Sequence, residues 1–216
     1  MLMESSVRKR LSAEQRRAKI LSAAVRAFAR DGYDGTTMDE IAARAQITKP
    51  VLYDHFSSKQ ALFLTVLETI RDGLIAKGKS IVEVGGDPEQ TFRRAVDAFL
   101  QFVEQEPDAA RVLLTVPSGD PLAARLSRKV QAGATAGLGA LLATLMAERT
   151  PRRLQVATEF LKEGLHAVAI WWLANPGPSR EEIVEVVTRI VWHGLRAAPH
   201  SVGTRSTVDR TYEGEK

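Results

Sequence analysis

An all-α fold of about nine helices is predicted by three observations: helix starts recur along the chain, each has a matching stop, and no alternating apolar run is long enough for a sheet. Ser12, with Gln15 three residues on, has capping-box spacing, and the helix it opens runs to about Arg30, before Asp31-Gly32. Thr37 and Glu40 repeat that spacing ahead of Met38, Ile41 and Ala45, which share one helical face. Ala45, Gln46 and Ile47 break the period. Thr48 then caps a helix from about Lys49 to His55, with Pro50 in the first turn, where a missing N–H costs nothing. Ser57 with Gln60 opens a fourth helix that Gly85-Gly86 closes, and Asp87, Pro88 and Gln90 open a fifth that Pro107 ends. Pro117 to Pro121 is a loop. Thr150-Pro151 and Ser179 with Glu182 open the last two long helices, separated by Asn175-Pro176-Gly177-Pro178.

Composition narrows the function. With 44% hydrophobic residues over 216 positions, the chain has enough apolar mass for one or two cores. It contains no Cys, so disulfides, thiol nucleophiles and Cys-based metal sites are excluded, and a reducing cytoplasm suits it. The N-terminus has no long apolar core after its charges, which argues against a secretory signal. Val130 to Ala147 is uncharged, but its Gly133, Gly137, Gly139 and many Ala suit helix packing better than a membrane span. No metal is expected, because His166, His193 and His200 are far from His55 in sequence and show no ligand spacing, and no cofactor is expected. The chain lacks G-x-S-x-G, H-E-x-x-H, a P-loop and a dinucleotide fingerprint, which argues against an enzyme. Residues 1–60 hold 11 Lys and Arg against 7 Asp and Glu, whereas residues 61–216 hold 19 of each. All the excess positive charge therefore lies in the first quarter, as expected of a surface that meets phosphates, although a solvated basic face would look the same.

The same quarter holds the most specific pattern. The helices begun by Thr37 and Thr48 flank a tight turn, with Leu52 and Phe56 facing Ile41 and Ala45, so Thr48, Lys49, Val51, Tyr53 and His55 point elsewhere. A helix face of this kind fits the major groove, making a helix-turn-helix. The segment resembles the DNA-binding signature of the TetR family of bacterial transcriptional regulators at Thr37, Ile41, Ala42, Ala45, Thr48, Leu52, Tyr53, His55, Phe56, Lys59 and Leu62. Including the preceding helix, the resemblance covers roughly residues 12–65. It departs at Gln46, where the family usually has Gly; a non-Gly residue in a left-handed turn costs about 1 kcal/mol.

The resemblance implies a three-helix head and a second helical domain, here 1–58 and 59–198, followed by a polar tail, 199–216, whose composition suggests disorder. By motif position it implies that Thr37, Tyr53, His55 and Lys59 contact phosphates and that Thr48, Lys49 and Val51 face base edges, with Pro50 shaping the helix start and touching a thymine methyl. Tyr53 as a half-buried core aromatic, His55 as packing beside Phe56, and Lys59 as a solvated lysine stay open. Arg8, Lys9 and Arg10 form either a minor-groove arm or a solvated tail.

The last two helices carry apolar residues on more than one face. Leu154, Ala157, Leu161, Leu165, Val168 and Trp172 form one stripe, flanked by Phe160, Gly164 and Trp171, and the final helix has Ile183, Val184, Val187, Ile190, Val191 and Leu195. In the family such helices pair with their symmetry mates, which implies a homodimer through Phe160, Gly164, Trp171, Val184, Val191 and Leu195; completing a monomeric core is the other use. Family members also hold a small molecule in the second domain. Phe99, Phe102, Phe160, His166 and Trp171 are the candidate lining for a hydrophobic effector, although Phe99 also fits the core stripe of Phe92, Val96 and Val103. The resulting expectation is a cytoplasmic repressor, nucleoid-associated when bound to DNA, that reads a double-stranded inverted-repeat operator as a homodimer, does not bind membranes, and is released by its effector. An architectural DNA binder without effector control is the alternative, and it would be more basic throughout.

Overall fold

The computed structural model describes residues 12–145 and 150–196, without the side chains of 193–196. Arg8, Lys9, Arg10 and the 199–216 tail fall outside the described residues, as does the side chain of Leu195. Among the described residues there are nine helices and no strand: α1 Ala13–Gly35, α2 Met38–Arg44, α3 Lys49–His55, α4 Lys59–Val84, α5 Pro88–Gln105, α6 Pro107–Leu114, α7 Pro121–Leu145, α8 Pro151–Ala174 and α9 Arg180–Arg196.

Most ends follow from local chemistry. Ser12 and Gln15 close a full capping box, with both bonds near 3 Å. Gly32, at φ 71° and ψ 172°, kinks α1 where Asp31-Gly32 was expected to stop it, and one further turn follows before Thr36. Thr37 accepts from the Glu40 N–H at 3.2 Å, but the box is only half formed because the Glu40 carboxylate is taken by Arg30 and Arg44. Thr48 occupies its N-cap position without a side-chain capping bond. The cap of α4 is Ser58 and not Ser57, since its hydroxyl accepts from Ala61 N–H at 3.1 Å. Pro107, expected only as a terminator, also starts α6.

Two apolar cores result. The first joins Ile20, Ala24 and Phe28 of α1 to Ile41, Leu52 and Phe56, then to Leu62, Phe63, Val66 and Leu67 of α4. It thus continues past residue 58. The second unites Phe92, Val96 and Leu100 of α5 with Leu142, Leu161, Leu165, Trp172, Ile183, Val184 and Trp192. α4 runs along α7, α5 along α9, and α7 against α8. The small residues of α7 make this close approach possible: a Cβ at Gly133 would sit 3.3 Å from Arg71 Cδ, and one at Gly139 would sit 3.4 Å from Thr158 Oγ1. Among the described residues no helix is long and apolar enough to cross a membrane.

The end of α1 is fastened to the body from three sides. Phe28, Tyr33 and Phe63 form an aromatic cluster with centroids 4.8 to 5.9 Å apart. The Tyr33 hydroxyl donates to Asp120 Oδ2 at 3.2 Å; burial first, and Asp120 second, push its pKa up, so it remains a donor. Lys59 Nζ donates to the carbonyls of Tyr33 and Thr36 at 2.9 and 3.0 Å and lies 4.3 Å from the Tyr33 ring centroid. Lys59→Met leaves both carbonyls without their charged donor and should lower the unfolding free energy by about 1–3 kcal/mol. Urea unfolding checks this, and an unchanged midpoint contradicts it.

Candidate nucleic-acid interface

The first core holds α2 and α3 rigidly from behind. Ile41, Ala45 and Leu52 are fully buried, and Phe56 is capped by the Arg17 guanidinium, 4.6 Å from its ring centroid. Gln46 alone among the described non-glycine residues has positive φ, at 52°, and its side chain accepts from Lys19 Nζ at 3.0 Å. The left-handed turn that the family usually gives to Gly is therefore made here by Gln46, with a lateral tie to α1. Opposite this support, Thr37, Thr48, Lys49 and Pro50 are exposed, Tyr53 is 43% exposed, and Val51 and His55 are half-buried. All eight residues expected to meet DNA thus have at least part of their surface open to solvent, Lys59 being half-buried like Val51 and His55.

Lys59, the eighth, is different. Its ammonium is turned onto the end of α1, where it donates to two backbone carbonyls and fastens α1 to α4. Two sequence-distant partners were not anticipated. Lys49 Nζ lies 2.8 Å from Asp39 Oδ1 and 3.1 Å from Oδ2, bridging the turn, while Arg30 joins Arg44 on Glu40. The only signal for the first pair was opposite charges near the starts of adjoining helices.

Between α4, α5, α7 and α8 lies an apolar cavity of about 220 Å³. Phe99 and His166 line it as expected, together with Leu74, Ile75, Leu138 and Leu165. Phe102 instead faces a groove beside α1 and α6, and Phe160 and Trp171 point outward, so these three do not line it. Burial holds the His166 pKa below the ordinary histidine value, with Glu163 opposing and Lys162 adding to the shift. A neutral imidazole offers the cavity one donor and one acceptor.

The expected interface residues divide in the same way. Phe160 is 70% exposed, and Gly164 and Trp171 are exposed beside it. Val184, only 2% exposed, is part of the protomer's own core, and Val191 packs partly against that core. The outward face is instead Val156, Phe160, Gly164, Ala167 and Trp171 along α8, with Val186 and Ile190 on α9. Spacings of three and four place each group on one stripe.

The family model for bacterial regulatory proteins of the tetR family matches residues 20–66, and the model for the tetracyclin repressor-like C-terminal domain matches residues 87–195, half the chain. The chain belongs to the TetR family of bacterial transcriptional regulators. Among its relatives, the HTH-type transcriptional activator FasR of Mycolicibacterium smegmatis is 32% identical over 196 residues, covering 88% of this chain and 87% of FasR. A TetR-like regulator from Rhodococcus sp. RHA1 superposes with a TM-score of 0.74 at 27% identity, over 87% of this chain and all of that one. The Bacillus subtilis regulator FadR, solved with stearoyl-CoA, has a TM-score of 0.69 at 14% identity over 85% of this chain and 99% of its own, a likeness of fold. As a TetR-family regulator, the chain carries its DNA-binding motif on α2 and α3.

Proposed function

We propose that this TetR-family regulator grips an inverted-repeat operator as a homodimer and leaves it when a small hydrophobic effector enters the cavity, acting as a repressor. The reading rests above all on one observation: an exposed row of Thr37, Thr48, Lys49, Pro50 and Tyr53 stands on a fully buried base of Ile41, Ala45 and Leu52. Thr48, Lys49, Pro50 and Val51 are the residues for base edges, and Thr37, Tyr53 and His55 those for phosphates. Lys59 acts by holding the head.

The dimer is supported by the apolar stripes of α8 and α9, since exposed aromatics in a row favour a partner. Residues 1–58 and 59–198 serve as the reading and the effector and dimer parts. A hydrophobic effector is supported by the apolar walls around His166, and by FadR, where the same fold holds an acyl-CoA. A second reading, activation in place of repression, is favoured by FasR, which is named an activator. Transcription reconstituted on the cognate promoter separates the two by its sign.

Selection of duplexes from a random pool tests DNA reading. The expected product is an inverted repeat with half-sites separated by whole turns of about 10–10.5 base pairs. A pool that is retained without enrichment supports the architectural binder. On the selected operator, Tyr53→Phe should weaken binding to all sequences alike, whereas Lys49→Ala should also relax preference at one position; unchanged preference would make Lys49 a phosphate contact. Phe160→Glu places a charge in the proposed interface and should raise the dimer dissociation constant at least roughly tenfold. Sedimentation equilibrium reads this, and wild-type protein that stays monomeric at micromolar concentration removes the dimer.

A further inference from the structure

Of the charged side chains on α2 and α3, Glu40 and Arg44 pair with each other beside Arg30 and Asp54 is exposed late in α3, whereas Lys49 and Asp39 face one another across the turn, both more than half exposed. The DNA-facing surface therefore carries a carboxylate 2.8 Å from its most prominent cation. A lysine with nothing opposite it is drawn to any phosphate, so it adds to non-specific binding wherever the protein lands. With Asp39 beside it, the choice of acceptor changes. Moving Lys49 onto a phosphate exchanges one anion for another and brings Asp39 toward the backbone charge, which repels it. Moving Lys49 onto guanine O6 and N7 meets neutral acceptors, so the ammonium can serve the base while the carboxylate stays close.

We propose that Asp39 is a specificity-determining residue of the head: by pairing with Lys49 it disfavours the lysine's use on phosphate and favours its use on a base edge. The inference depends on the DNA reading proposed above and concerns how that reading is sharpened. It assigns Asp39 a role that the motif does not give it, since the motif's contacts come from Thr37, Thr48, α3 and Lys59.

The test compares the operator selected by the wild-type chain with a random duplex of equal length, by fluorescence anisotropy across about 50–200 mM KCl. Asp39→Asn, which keeps shape and removes charge, should bind the random duplex about threefold tighter per head at low salt. Its log–log salt slope should steepen by about 1 per head. Operator affinity should rise less, so the specificity ratio falls. Asp39→Glu keeps the charge and should retain the wild-type slope and ratio. In a Lys49→Ala background, Asp39→Asn should lose most of its effect, because the cation it releases is absent.

An Asp39→Asn protein with unchanged random-duplex affinity and slope overturns the proposal, and so does a gain that persists undiminished without Lys49. Circular dichroism checks folding. If Asp39→Asn lacks native helicity, Asp39→Ser carries the same expectation. A wild-type chain that enriches no operator overturns the DNA reading itself, a different failure from an operator-specific wild type that is indifferent to Asp39.

Discussion

α4 joins the first core to the wall of the cavity, and the rest of the molecule depends on that link. Its first half, Leu62 to Leu67, is buried with α1, α2 and α3, while its second half contributes Leu74 and Ile75 to the wall of the cavity. The helix is continuous from Lys59 to Val84, so in the proposed mechanism a displacement of the wall would reach the head along a single rod. Packed cores deform in steps more readily than continuously, which suits such a rod to the proposed role of lever. The aromatic cluster at Tyr33, the Lys59 ammonium and the Asp120 carboxylate fasten the end of α1 to α4 and to the residue before α7.

This arrangement explains why the head can be small. Helices of seven residues have little stability alone, and α2 and α3 are held by Ile41, Leu52 and Phe56 inserted into a core built mainly by α1 and α4. The exposed face is then free to carry polar and charged groups suited to a partner. The same division recurs at the other end, where α8 and α9 bury Leu161, Leu165, Ile183 and Val184 inward and leave Phe160, Trp171 and Ile190 outward. In the proposed dimer, the rod in each protomer sets the separation of two such faces.

Local features were legible in the sequence and long-range ones were not. The reading motif lies within 26 residues, so its spacing alone placed Leu52 and Phe56 behind and Thr48, Lys49 and Tyr53 in front. Ser57 and Ser58 are chemically equal as caps, and only the register of α4 chose between them. Periodicity showed that α8 and α9 had two apolar faces, but it could not say which face was internal; Val184 was therefore assigned outward and Phe160 to a cavity it does not reach. The cavity is a property of four helices together. Its walls, such as Leu74 and Leu138, look like ordinary core residues in sequence. Lys59 was recognised by motif position, yet its partners are backbone carbonyls 23 and 26 residues away, which carry no side-chain signature.

The most direct test of the lever is the distance between the two heads when the cavity is filled. The chain has no Cys, so Ala43→Cys, exposed on α2, accepts one nitroxide per protomer without background. Double electron–electron resonance would compare this labelled protein with the same protein carrying Leu138→Trp, which fills the cavity from within. The account predicts a defined inter-head distance in the first and a shifted one in the second, with helicity retained. Identical distance distributions in two folded dimers would contradict it, as would the absence of any inter-head distance.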